Sequence, residues 1–204
     1  MIEIEKARQY YTAFDAAHDF DHVLRVLALA ERIGQAEGAD MEIVRAAVLL
    51  HDVARAEEER TGLCHAQAGA ERARQILAGH PADKVEAVAQ AIASHRFRDE
   101  LSPQTLEAKV LYDADKLDAI GAIGIARAYA LAGKRGRRLW AKSPTTSASE
   151  SGSSDQTPVH EFVFKLSRLK DSLFTNAARQ IAEDRHRYMV DFFARLEAEV
   201  RGEY

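Results

Sequence analysis

The period of the apolar residues constrains this chain more than any other feature. Between residues 20 and 37, Val23, Leu24, Leu27, Ala30 and Ile33 recur three and four apart, which makes one buried stripe on a helix. Asp19 is placed to cap the start of that helix and Gly38 to end it. Asp40 opens a second helix through Ile43, Ala46, Ala47 and Leu50 that ends near His51. A third is expected over residues 65–77, stopping at Gly79-His80-Pro81, and a fourth over 83–95 carries Val85, Val88, Ala89 and Ile92 on one side. Ser102-Pro103 reads as an N-cap followed by proline at the first helical position, and the periodic stretch beyond it runs to Leu131 with a break near Asp118. The last helix starts at Thr175 or Asn176 and places Ala177, Ile181, Tyr188, Phe192 and Leu196 along one face. No Asn-Gly or Asp-Gly turn joins alternating segments, and alanine and leucine outweigh the β-branched residues. The expected fold is all-α, a bundle of about seven helices forming one domain over residues 1–204.

Composition narrows the function classes. A net charge of −4 gives no bulk attraction for nucleic acid, so an anionic ligand must be drawn by local cations or by a metal. The single cysteine, Cys64, rules out an internal disulfide, and no zinc-ribbon spacing occurs. The opening MIEIEKARQYY lacks the apolar run of a signal peptide, and no segment has the length to span a bilayer. The expectation is a soluble cytoplasmic protein that takes a small-molecule partner, with no nucleic acid and no membrane, as a monomer or homodimer. One segment breaks the helical pattern. Residues 133–157 join the basic run Lys134-Arg135-Gly136-Arg137-Arg138 to a Ser/Thr-rich tract, a polar loop expected to be mobile.

His51-Asp52 follows the apolar run 46–50 directly, so two metal-competent side chains emerge at a buried helix end. Alone, the pair is better read as a helix C-terminus where histidine suits the dipole, and a second His-Asp stands at His18-Asp19. The surroundings add weight. His22 lies on an earlier helix, in HDFDHVLRVLALAERI, and Asp115 on a later one, in LYDADKLDAIGAIGIARA. That later segment sets Asp113, Asp115, Lys116 and Asp118 inside an apolar stretch, where charge is costly unless paired or ligated. An ion pair with a core arginine is the other way to satisfy Asp115.

These residues, in the order His … His-Asp … Asp, resemble the HD-domain metal-dependent phosphohydrolase superfamily. The segments HDFDHVLRV, VLLHDVARAEE, CHAQAGAERARQIL, IASHRF, DADKLDAIGAIGIARA and HEFVFKLSRLKDSLFTNAARQIAEDRHRYM resemble its small bacterial single-domain branch, which includes deoxynucleoside triphosphate pyrophosphohydrolases. The resemblance implies an all-helical fold with His22, His51, Asp52 and Asp115 as ligands of one metal. Two imidazoles and two carboxylates suit Mn²⁺, Co²⁺, Ni²⁺, Fe²⁺ or Mg²⁺, and the two nitrogens favour a transition metal, with Mn²⁺ preferred. Four protein ligands leave positions for water and a phosphate oxygen, and Asp52 is a candidate to orient the water.

The same resemblance places His65 at the start of the helix after the HD turn and His95 at the end of the next one, as groups that bind phosphate or deliver protons. In two-metal branches of the superfamily, histidines in comparable places take a second ion. Arg25, three residues past His22, shares its side of the helix, and Lys116 and Arg96 adjoin Asp115 and His95; all three are candidates for phosphate. His18, one turn before His22, and Lys165, which the resemblance brings back with His160, complete the substrate-binding candidates. Glu57, Glu58 and Glu59 offer a general base or simply a solvated face. The expected activity is hydrolysis of a nucleotide, a (deoxy)nucleoside triphosphate giving monophosphate and pyrophosphate. Its alternatives are a phosphodiesterase or phosphatase on the same metal site, or a nucleotide-binding sensor with negligible turnover.

Overall fold

Helix α2 (Phe20–Glu37) forms where the apolar stripe predicts it, burying Val23, Val26, Leu27, Ala30 and Ile33 on one side. Gly38 ends it at φ +77°, a left-handed conformation that costs glycine little. The computed structural model describes residues 1–11, 20–96, 101–142 and 157–204. Asp19 and His18 lie outside the described residues, so neither the cap nor the substrate role expected of them is assigned. Among the described residues there is no strand, only an isolated bridge between Ala78 and His80, and the fold is all-α. No described helix is long and apolar enough to cross a membrane.

The helices divide between two compact units, Met1–Asp115 with Leu173–Ala178, and Lys116–Ser172 with Arg179–Tyr204. In the first, α1 (Ile4–Arg8) precedes α2, and α3 (Met41–Leu50) is the central element, packed against α2 and α6. Asp40 caps α3 by accepting from the backbone N–H groups of Glu42 and Ile43. Val44 and every residue from Ala46 to Leu50 are buried. Fully burying side chains such as Val48, Leu49 and Leu50 stabilises the fold by roughly 1.5–3 kcal/mol each. The chain then turns through residues 51–54 into α4 (Arg55–Thr61), continues in α5 (His65–Ile76), and reaches α6 (Ala82–Ala93). Gly69 lets α5 approach closely: a Cβ there would lie 3.3 Å from the His51 carbonyl oxygen and 3.4 Å from Ile92.

Helix α7 (Leu106–Asp118) starts later than the Ser102-Pro103 signal suggests. Thr105 begins it instead, its hydroxyl accepting from the Ala108 N–H and its carbonyl from the Lys109 N–H. Serine followed by proline is a local preference only; Pro103 is buried without starting the helix. The boundary between the two units falls inside α7, after Asp115.

In the second unit, α8 (Gly121–Lys134) extends past Leu131, two residues into the segment read as loop. Residues 143–156 of that segment lie outside the described residues. Thr157 caps α9 (Pro158–Phe164), which a 3-10 turn (Leu166–Ser172) follows. Helix α10 (Asn176–Val200) begins where expected, but its buried face is one residue further along. Ala178, Ala182, Met189 and Phe193 are buried, whereas Tyr188 is 53% exposed. Apolar residues occupy two neighbouring stripes of this helix, and packing selects the second; Phe193 stacks on Phe162 with ring centroids 4.5 Å apart.

Candidate metal centre

The end of α3 delivers His51 and Asp52 into the interior, where they are 0% and 5% exposed. His51 Nδ1 lies 2.8 Å from the Val48 carbonyl, so Nδ1–H donates and Nε2 presents its lone pair. That lone pair faces Nε2 of His22, buried on α2, at 3.4 Å. Asp52 Oδ2 stands 3.9 Å from the His22 nitrogen and 3.7 Å from that of His51, and Asp115 Oδ1 is 3.4 Å from His22. Two donors that each bind a small divalent ion at about 2.1 Å can stand no more than about 4.2 Å apart, and all four separations fall within that reach. His22, His51 and Asp52, buried together, fit a divalent cation, which would neutralise the charge that burial makes costly, and Asp115 adjoins this group at His22.

A second group shares Asp52. Its other oxygen, Oδ1, is 3.4 Å from His65 Nε2 and 3.8 Å from His95 Nε2, and those two nitrogens are 3.3 Å apart. His65 opens α5, and His95 follows α6 with Nδ1 donating to the Ile92 carbonyl at 2.6 Å. Burial pushes His51 and His65 down to about 4, with Asp52 pulling both the other way, so both rings are neutral donors near pH 7. Burial also disfavours the charged form of Asp52, but His51, His95 and Arg55 outweigh it and hold the carboxyl well below its usual range.

Three acidic residues of α7 have three different surroundings. Asp113 is fully buried and accepts from the backbone N–H groups of Phe174 and Thr175 and from the Thr175 hydroxyl. Asp118 takes the ion-pair route, 3.1 Å from Arg127. Asp115 faces His22 of the cluster and is 18% exposed. The structure therefore gathers His22, His51, Asp52, Asp115, His65 and His95. Arg25 is half-buried one turn past His22. Arg96 is close by, at 2.9 Å from Glu58 and 3.4 Å from the Cys64 sulfur. Lys116, half-buried, and Lys165 belong to the second unit, where Lys165 donates to Glu161 at 2.8 Å.

Two residues at this corner escape sequence reasoning. Arg55, not singled out there, places Nη1 3.0 Å from His65 Nε2. Glu58, read as one of three interchangeable glutamates, accepts from His65 at 2.8 Å, whereas Glu57 turns to Arg72. The side chain of Glu59 lies outside the described residues. The available signal was the three-residue spacing of Arg55 and Glu58 on the helix that directly follows His51-Asp52, which puts both on one side.

An all-helical fold built around a buried His and His-Asp cluster defines the class. The HD domain family model matches residues 19–120, and the chain belongs to that family, whose members here are hydrolases. Among individual proteins it is similar to YpgQ of Bacillus subtilis, 34% identical over 213 residues that span 99% of this chain and 97% of YpgQ. The crystal structure of YpgQ in complex with ADP superposes with a TM-score of 0.77 at 33% identity, covering 98% of this chain and 99% of that one. A predicted HD superfamily hydrolase from an uncultured Thermotogales bacterium matches with a TM-score of 0.69 at 33% identity, over 96% of this chain and 90% of its own.

Proposed function

We propose that this protein hydrolyses nucleoside triphosphates, deoxynucleoside triphosphates foremost, to monophosphate and pyrophosphate. One divalent ion, Mn²⁺ by preference, would be held by His22, His51, Asp52 and Asp115. The observation that carries the reading is the pair of Nε2 atoms 3.4 Å apart with two carboxylates around them, an arrangement that calls for a cation. Such an ion supplies a Lewis acid for a phosphate oxygen and acidifies water. The ADP complex of YpgQ supports a nucleotide as the ligand.

The chain's own residues then have distinct tasks. Asp52 turns one oxygen toward each histidine pair, so it can ligate and also orient the attacking water. Water adds to the α-phosphorus, the bond from that phosphorus to the bridging oxygen breaks, and pyrophosphate leaves. His65 and His95 hold or pass the proton at Nε2. Arg25, Arg96 and Lys116, with His18 and Lys165 as outer candidates, offset the charge that gathers on the leaving group.

Chromatography of a reaction with Mn²⁺ and a panel of ribo- and deoxyribonucleotides tests the proposal. Monophosphate and pyrophosphate appearing without a diphosphate intermediate is the expected result. Stepwise release of orthophosphate, or free nucleoside with intact tripolyphosphate, overturns it.

A further inference from the structure

Glu58 hydrogen-bonds none of the four proposed metal ligands, yet it organises one corner of the site. It stands on α4, one helical turn after Arg55. Oε2 lies 2.8 Å from His65 Nδ1 and 3.8 Å from Arg55 Nη1, while Oε1 lies 2.9 Å from Arg96 Nη1. An ionised carboxylate only accepts, so the proton of a neutral His65 sits on Nδ1 and the lone pair on Nε2. Nε2 is also the ring nitrogen that lies 3.4 Å from Asp52 Oδ1 and 3.3 Å from His95 Nε2.

Arg55 does not replace Glu58 in this task. Its Nη1 is 3.0 Å from Nε2 and 3.3 Å from Nδ1 of the same ring. The two ring nitrogens diverge, so one atom near both cannot lie in line with either lone pair. The carboxylate therefore fixes the ring, and the guanidinium lies against it. The neighbouring Glu57 provides the contrast: 45% exposed, it turns away to pair with Arg72.

We propose that Glu58 is a positioning residue, which holds His65 as the Nδ1–H tautomer and pairs with the Arg55 and Arg96 guanidinium groups at that corner. A free imidazole side chain favours the opposite tautomer, with the proton on Nε2, and that form would point a donor at the place where the reaction needs an acceptor. The kinetic consequence rests on the phosphohydrolase reading; the tautomer assignment does not.

The test uses the full chain with Mg²⁺, which is diamagnetic, and long-range ¹H–¹⁵N correlation of the His65 ring, assigned by its loss in His65→Gln. The wild-type ring should carry its proton on Nδ1. Glu58→Gln should preserve that state, because the amide oxygen still accepts, and Glu58→Ala should shift it toward Nε2–H. Turnover of Glu58→Ala should fall about 10–100-fold, the usual effect of losing a group that orients a site histidine. Its Mg²⁺ affinity should change by less than about threefold, because Glu58 reaches the ligand Asp52 only through His65, and Glu57→Ala should match wild type in both. A proton on Nε2 in wild type, an unchanged tautomer in Glu58→Ala, or turnover and Mg²⁺ affinity falling together overturns the inference. Absence of any nucleotide turnover in wild type defeats the proposed function instead, and the tautomer comparison still decides the role of Glu58.

Discussion

Replacing Asp113 with alanine should unfold the first unit more readily than any change at its surface. The carboxylate is 0% exposed and accepts three donors: Phe174 N–H at 2.9 Å, Thr175 N–H at 2.7 Å and the Thr175 hydroxyl at 2.7 Å. The two Thr175 donors are buried, while that of Phe174 is part-buried and can turn to water. Leaving a buried donor without a partner costs about 1–3 kcal/mol, and more where the lost acceptor was charged. Two such donors, with the loss of the third bond, put the expected cost at about 3–5 kcal/mol. Domains of this size are stable by only about 5–15 kcal/mol, so the loss is a large fraction. Urea unfolding at fixed metal concentration measures it, because bound metal shifts the midpoint. Thr175→Val removes one donor and, with Asp113→Ala, completes a double-mutant cycle whose coupling should exceed about 0.5 kcal/mol. A destabilisation below about 1 kcal/mol for Asp113→Ala, or additive behaviour in the cycle, would refute the reasoning.

Three further outcomes are expected. His51→Ala should lose most bound metal by elemental analysis, together with the stabilisation of about 2.7 kcal/mol that metal at a hundred times its Kd gives wild type; full metal content in the variant means the site is misassigned. Gly69→Ala places a methyl 3.3 Å from the His51 carbonyl oxygen, which backbone cannot readily yield. Crowding of about 1–3 kcal/mol should outweigh the helix-propensity gain of about 1 kcal/mol, and a more stable variant in urea contradicts this. Lys116→Ala should depress triphosphate turnover while metal titration stays near wild type, and equal losses in both would remove Lys116 from the phosphate-binding set.

Much of the helical frame is legible in the residues themselves. The stripe through Val23, Leu27, Ala30 and Ile33, with Gly38 behind it, determines where α2 lies and ends, and Asp40 does the same for the start of α3. Both signals are local: periodicity and capping act within a turn or two, and no partner is needed to read them. The order of His22, His51-Asp52 and Asp115 on separate helices was equally open to view, as was the likeness to HD-domain proteins. Packing alone decided the rest. Apolar residues on two adjacent faces of α10 left its inward side open until Met189 and Phe193 found their neighbours. Asp113, Asp115 and Asp118 look alike along α7, yet one meets backbone donors, one a histidine and one Arg127. Glu57 and Glu58 adjoin in the chain and diverge to Arg72 and His65. A side chain's partner depends on which helix lies across from it, and that is settled by the burial of whole helix faces, to which a single carboxylate contributes little of the driving force.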